Sequence, residues 1–175
     1  HVGAAAYRGN AVEAGVARAL SGEDACPAFA LSEFDRMTAL LGDSRRGKER
    51  EGIPGMVDQA VGELLPYGPP SSMQGAVSMT FDGLAIPIIG FYDFAWANHG
   101  VIADLKTIES ADLESVEKAM ATYAYYVQAA FYLKVANLIG LARELFVFIF
   151  VEKSPPYAVA CYTPVDSVLE AGRMI

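Results

Sequence analysis

Asp93, Asp104 and Lys106 are the residues of this 175-residue chain whose types and spacing point most directly to chemistry. Asp104 and Lys106 lie two apart in residues 101–106, a strand-like stretch, so they share one face while Val101, Ala103 and Leu105 take the other. Asp93 belongs to the apolar strand before it. A tight turn at Asn98-His99 sets Asp93 close to opposite Asp104, and a bulge at Gly100 is the alternative that would shift the register. Facing carboxylates repel across a sheet, and in so apolar a segment an unpaired charge is costly. A divalent cation removes both penalties. Lys106 then places a positive charge where an attacking water or a phosphoryl oxygen would sit. Taken alone, an Asp-x-Lys pair on a strand is ordinarily a solvated face or a salt bridge.

Two helical segments add candidates. In Arg8-Gly9-Asn10-Ala11-Val12-Glu13, a carboxylate rides on an otherwise apolar helix, four residues after a glycine that permits close approach. Further on, Gln128 and Tyr132 are spaced i and i+4, so both project from one helix face. Met120, Val127, Phe131 and Leu138 form the opposite stripe, expected in the core. Each feature also has an ordinary reading: a surface acid for Glu13, an amphipathic boundary pair for Gln128 and Tyr132.

Positioning these groups takes helices, then strands, then helix and strand again. Residues 4–20 read as a helix stopped at Ser21-Gly22, and Ser32 as the cap of a second helix reaching Leu41 and stopped by Gly42. Residues 43–52 read as a polar loop with the one basic cluster, Arg45, Arg46, Lys48 and Arg50. A third helix spans 54–65 and ends at Pro66. Strands follow at 74–81, 84–96 and 101–106, with hairpin signals at Asp82-Gly83 and Asn98-His99-Gly100. A long helix covers 115–138, strands 145–151 and 157–163, and Pro164 opens a last helix.

Composition limits the choices. The chain is 53% hydrophobic and 11% aromatic, which excludes disorder and allows a sizeable core. Its 13 Lys+Arg against 21 Asp+Glu give a net charge of -8, which speaks against a general basic nucleic-acid binder. Two cysteines, Cys26 and Cys161, cannot make a disulfide framework, a four-thiolate zinc site or a four-Cys iron–sulfur cluster, and read as buried thiols of a reducing compartment. With only His1 and His99 besides, any metal must be held by carboxylates, which selects magnesium or manganese over zinc. The apolar residues 119–142 include Gln128, Lys134 and Asn137 and read as a core helix rather than a membrane span. The chain opens on His1 without a methionine, which points to residues upstream.

Taken in order, Gly9-x-x-x-Glu13, Gly90-x-x-Asp93, Asp104-x-Lys106-Thr107 and Gln128-x-x-x-Tyr132, on helix, strand, strand and helix, resemble the PD-(D/E)XK nuclease superfamily. The resemblance is closest to its RecB-like, phage-type exonuclease branch, and residues 146–173 are similar to the tail of RecE-type exonuclease domains. It implies a single α/β (α+β) domain over 1–175, with a restriction-endonuclease-like core. That core is a mixed central sheet containing a three-strand antiparallel meander flanked by helices, and residues 21–73 would be a helical insertion of unassigned role. It implies Mg²⁺, with Mn²⁺ as substitute, held by Asp93, Asp104 and the main-chain carbonyl of Leu105, with Glu13 completing the set. Lys106 would orient or activate water, and Gln128, Tyr132 and Thr107 would contact the scissile strand. Where RecE-like and Cas4-like domains often carry His, this chain has Glu13, as lambda-type exonucleases have Glu, and the iron–sulfur cysteines of some relatives are absent.

The function so implied is a cytoplasmic, bacterial or phage-associated DNA exonuclease working from ends, in recombination or end processing. A homo-oligomer and a single-strand annealing protein are the implied partners. A restriction-like endonuclease and a catalytically silent DNA-binding or assembly module with the same fold are the alternatives.

Overall fold

Residues buried at spacings of three and four, Ala4, Arg8, Ala11, Val12, Gly15, Val16 and Leu20, give the first helix its inward face, and α1 spans Ala4–Leu20. The computed structural model describes residues 4–41, 43–80, 87–141 and 143–173. Contacts divide the chain into two compact units. The first comprises His1–Pro69, Leu105–Ala111 and Phe150–Ala160; the second comprises Pro70–Asp104, Asp112–Ile149 and Cys161–Ile175.

In the first unit, α2 runs Cys26–Met37, seven residues earlier at its start than a Ser32 cap requires. Pro27 in the first turn is pre-organised for a helix start, and it prevails over Ser32. Thr38, whose hydroxyl donates to the Phe34 carbonyl at 2.7 Å, follows the last helical residue, so the helix does not reach Leu41. Gly42 lies outside the described residues. The expected polar loop is instead a helix, α3, Asp43–Glu51. Its i, i+4 spacing sets Arg46 and Arg50 on one carboxylate: Arg50 donates twice to Asp35, at 2.9 and 3.0 Å, and Arg46 once, at 3.1 Å. The helix α4, Ile53–Leu64, starts on Pro54 and passes into a 3-10 turn, Leu65–Tyr67. Phe34, Ile53, Met56, Val57 and Ala60 are fully buried with Val12 and Val16 of α1.

The Asp35 pair allows a prediction. Hydrogen bonds from Arg50, then Arg46, hold the Asp35 carboxyl below the usual carboxylate range. A depressed folded-state pKa gives stability above the unfolded value of about 3.9, lost as pH falls toward and through the folded one. Because Asp35 is 36% exposed, Asp35→Asn should cost less than about 1 kcal/mol at pH 7. Urea unfolding should show that gap closing by pH 3. An undiminished gap at pH 3 would mean that charge is not its source.

The five strands are β1 Ser72–Met79, β2 Ile88–Trp96, β3 Val101–Ile108, β4 Leu145–Glu152 and β5 Val159–Tyr162, in one mixed sheet of order β1-β2-β3-β4-β5. β1 pairs antiparallel with β2, and β2 with β3, which is the expected meander. The Asp82-Gly83 hairpin signal lies outside the described residues. Between β2 and β3 the chain makes a 3-10 turn, Ala97–His99, and Gly100 takes the left-handed conformation at φ 64° that a glycine tolerates. In β1, Gln74 also has a left-handed φ, of 48°.

The single helix expected over 115–138 is two: α5, Leu113–Thr122, capped by the Asp112 carboxylate accepting from the Ser115 amide at 2.9 Å, and α6, Tyr125–Leu138. Ala124 breaks them at φ 51°. Tertiary stacking explains the break: Tyr125 stacks on Phe148 of β4 and on Tyr123, each at 5.4 Å between ring centroids. The restart changes the phase of the apolar stripe. Ala129, Ala130, Tyr132, Leu133, Val135 and Ala136 are buried, whereas Met120, Val127 and Phe131 are half-buried and Leu138 is 58% exposed. The last helix is α7, Asp166–Arg173, packed on α6. Cys26 is buried as expected and Cys161 is exposed, since β5 is half-covered. Among the described residues no helix is long and apolar enough to cross a membrane.

Candidate active site

Asp93 lies on β2 and Asp104 on the neighbouring strand β3 of the antiparallel meander. Phe94 pairs with Ala103, Ala95 with Ile102 and Trp96 with Val101, so no bulge at Gly100 shifts the meander. Asp93 and Asp104 are the residues next to the Phe94–Ala103 pair on their strands. Asp104 is only 2% exposed, among the few buried charged residues of the chain. Removing a carboxylate from water costs several kcal/mol unless it is compensated. One compensation is visible: the Gln128 side-chain amide donates to Asp104 Oδ1 at 2.8 Å. A hydrogen bond to an ionised acceptor is worth about 1.5–3 kcal/mol.

Gln128 and Tyr132 share the α6 face that their spacing predicts, and that face serves the acids. The Tyr132 hydroxyl donates to the Phe91 carbonyl at 2.6 Å and lies 3.4 Å from Gln128 Nε2. Its ring, 6% exposed as a residue, stacks on Phe146 of β4 at 5.5 Å. Gly90 explains how α6 gets so near β2. A methyl group there would stand 2.0 Å from the Tyr132 ring, so only glycine admits the contact. The first residue of Gly90-x-x-Asp93 is thus a packing requirement of the helix that holds the second acid.

The other candidates belong to the first unit. Lys106 and Thr107 are half-buried on β3, two and three residues beyond Asp104, and Leu105 is 5% exposed. Strand alternation keeps the Lys106 side chain on the face of Asp104. Gly9 of α1 faces Thr107, and Glu13 follows one turn later, half-buried. The close approach expected at Gly9 is not demanded: an added methyl would meet Thr107 Oγ1 at 3.8 Å, an ordinary contact.

The basic cluster does not form a phosphate-binding loop. Arg46 and Arg50 are committed to Asp35. Lys48 lines a polar cavity of about 390 Å³ with Arg8, Glu49, Glu109 and Lys153, where Arg8 pairs with Glu49 and Lys153 with Glu109 at 2.8 Å. The Lys153 ammonium holds the Glu109 carboxyl below its ordinary range. Acids and bases balance there, which leaves little net positive surface. Sequence reasoning missed this cavity because α3 has no apolar periodicity to reveal it.

Among the described residues, no group of three or more His, Cys, Asp or Glu side chains lies together as a ready-made metal cage. Of the candidate metal ligands, the carboxylates Asp93 and Asp104 belong to the second unit. An all-oxygen pair of this kind suits a hard cation that keeps most of its waters, as Mg²⁺ does.

A five-stranded mixed sheet flanked by helices, with Asp on one meander strand and Asp-x-Lys on the next, defines a protein of the PD-(D/E)XK type. Residues 73–174 match the family described as "PDDEXK-like domain of unknown function (DUF3799)", and the chain belongs to that family. Among solved structures, it is similar to a candidate exonuclease from Eubacterium rectale, with a TM-score of 0.68 and 16% identity over 99% of this chain and 64% of that one. This chain therefore spans less than two thirds of that relative's length. A looser likeness, TM-score 0.41 at 16% identity over 85% of this chain and 71% of the other, links it to the protein SSO0001. No curated protein matches the chain significantly.

Proposed function

We propose that this chain is a metal-dependent deoxyribonuclease that hydrolyses phosphodiester bonds from DNA ends. The observation that carries the reading is the buried carboxylate of Asp104, clamped by Gln128 and followed two residues later on β3 by Lys106. Family membership supports a nuclease-type site. Asp93 and Asp104 would hold the divalent cation, with the Leu105 carbonyl and Glu13 as the further ligands proposed. Bound there, the cation supplies Lewis acidity toward a phosphoryl oxygen. The Lys106 ammonium donates to the attacking water and opposes charge building on the phosphoryl group. Gln128 keeps Asp104 Oδ1 oriented, and Tyr132 anchors α6 to β2.

The preference for ends rests on electrostatics. With a net charge of -8 and with Arg46 and Arg50 of α3 paired internally, the chain has little sequence-independent attraction for duplex phosphates. An end offers frayed nucleotides that stacking can capture. Linear duplex should therefore be degraded to short products in Mg²⁺, while covalently closed circular duplex survives in the same tube. Prompt nicking of the circle, above all at one discrete position, would overturn the end-dependent reading and favour an endonuclease.

A further inference from the structure

Arg8 of α1 is a buried cation with donors to spare. Its side chain is 8% exposed, and of its five N–H groups one is met by the Glu49 carboxylate. Its Nε is buried with no partner among the described residues. Buried polar groups are almost always satisfied, by protein, by water or by a bound ligand. A guanidinium so placed marks a position for an oxygen-rich acceptor, and its planar fork matches a phosphate.

Arg8 lines the polar cavity of about 390 Å³ beside α3, and every residue of the cavity wall belongs to the first unit. Small-molecule sites have volumes of about 300–1,000 Å³. Close packing fixes the wall: a methyl group at Gly55 would stand 2.2 Å from the Tyr157 ring, and one at Gly52 3.1 Å from the Lys153 carbonyl oxygen. The Lys153 amide donates to the Ile108 carbonyl at 2.9 Å, which ties the turn after β4 to the end of β3. Three elements thus bring cations to one volume, Arg8 from α1, Lys48 from α3 and Lys153 from that turn. The Glu109 carboxyl feels all three, held down first by Lys153 and further by the charges of Arg8 and Lys48. Its side chain is 80% exposed, so it can turn out into solvent and leave those cations to another anion.

Glu49 and Glu51 complete the charge balance of the cavity. A balanced cavity exerts no long-range pull on a polyanion. It suits a small ligand held at short range, one that brings an anionic group to the cations and hydrogen-bond donors to the acids. A nucleoside monophosphate carries both, a phosphate at one end and hydroxyl and amino groups at the other. Inorganic phosphate would leave most of the volume and the carboxylates unused.

We propose that this cavity binds a mononucleotide, its phosphate on Arg8 and Lys48, with Lys153 released to it as Glu109 turns away. The inference is independent of the acids on β2 and β3 and adds a small-molecule ligand to a chain whose proposed substrate is a polymer.

The test is calorimetric titration in EDTA, which keeps divalent metal out of the measurement. Deoxyadenosine 5′-monophosphate should bind with a Kd of about 1 mM or tighter. Deoxyadenosine and inorganic phosphate should each bind at least about tenfold more weakly. Lys48→Ala should weaken nucleotide binding about fivefold or more, and Arg8→Gln should abolish it. Glu109→Gln should tighten it, because the acid competes for Lys153; a cluster of purely structural ion pairs would gain nothing. Melting temperatures check folding, and if Arg8→Gln fails to fold, Lys48→Ala and Glu109→Gln decide the matter. No nucleotide binding, equal binding of the nucleoside, or unchanged affinity in both Lys48→Ala and Glu109→Gln would overturn the site. Inorganic phosphate binding as tightly as the nucleotide would also overturn it, as an adventitious ion only. So would a 5′-phosphorylated duplex end that binds through Lys48 when the free nucleotide does not, since the cavity would then be a contact for DNA. Loss of the nuclease reading would leave each of these outcomes as decisive as before.

Discussion

Asp104→Ala is expected to reduce metal-dependent DNA cleavage to background and to erase the thermal stabilisation that Mn²⁺ gives the wild-type protein. Asp104 is buried at 2% exposure, where a bound cation would offset the cost of taking its charge out of water. A ligand that binds only the folded state adds about 2.7 kcal/mol of stability at a hundred times its Kd. Asp104→Asn separates charge from shape. It keeps an oxygen to accept the Gln128 amide, now 2.8 Å away, and it should melt no lower than the metal-free wild type while losing both the Mn²⁺ shift and turnover. Calorimetry and thermal melts with and without Mn²⁺ decide the matter. An Asp104→Asn protein that still gains stability from Mn²⁺, or a wild-type protein that never does, would place the metal elsewhere.

Lys106→Ala should separate the two functions of the site in the other direction. The lysine is half-buried on the strand face of Asp104 and is not among the proposed metal ligands. Its removal should therefore leave the melting temperature and the Mn²⁺ shift nearly intact. Turnover should fall by roughly two orders of magnitude or more, the usual loss when one charge contact to a transition state is removed, equivalent to about 2.7 kcal/mol. KM for DNA should move little. Single-turnover cleavage on a linear duplex measures the loss, and wild-type turnover would reduce Lys106 to an ion-pair partner.

Much of the meander was legible because its signals are local. Alternation and the Asn98-His99-Gly100 turn determine which residues of β2 and β3 pair, Phe94 to Trp96 with Val101 to Ala103, on the two strands that bear the acids. The helix α1 was legible for the same reason, with its ends at residues 4 and 20 as its apolar spacing requires. What stayed hidden depends on distant partners. Nothing near Ala124 announces a left-handed residue; the aromatic stack with Phe148 does that from another strand. The helix α3 has almost no apolar face and gains its place through Asp35 and Arg8, both on other helices. The spacing of Gln128 and Tyr132 was visible, yet their contacts were not. A sequence shows that two side chains share a face but not that one clamps a carboxylate and the other caps a strand carbonyl.

The kink at Gln74 has a consequence for solubility. β1 ends the order of the sheet, and its eight residues, SMQGAVSM, include no charge. An uncharged border strand is a ready template for a strand from another molecule, and growth of that kind leads to fibrils. Proteins commonly guard such borders with lysine or proline. Here, near the start of β1, Gln74 takes a left-handed φ of 48°, which confines the regular part of that border to the five residues Gly75–Met79. A run that short offers an incoming strand few main-chain groups to pair with.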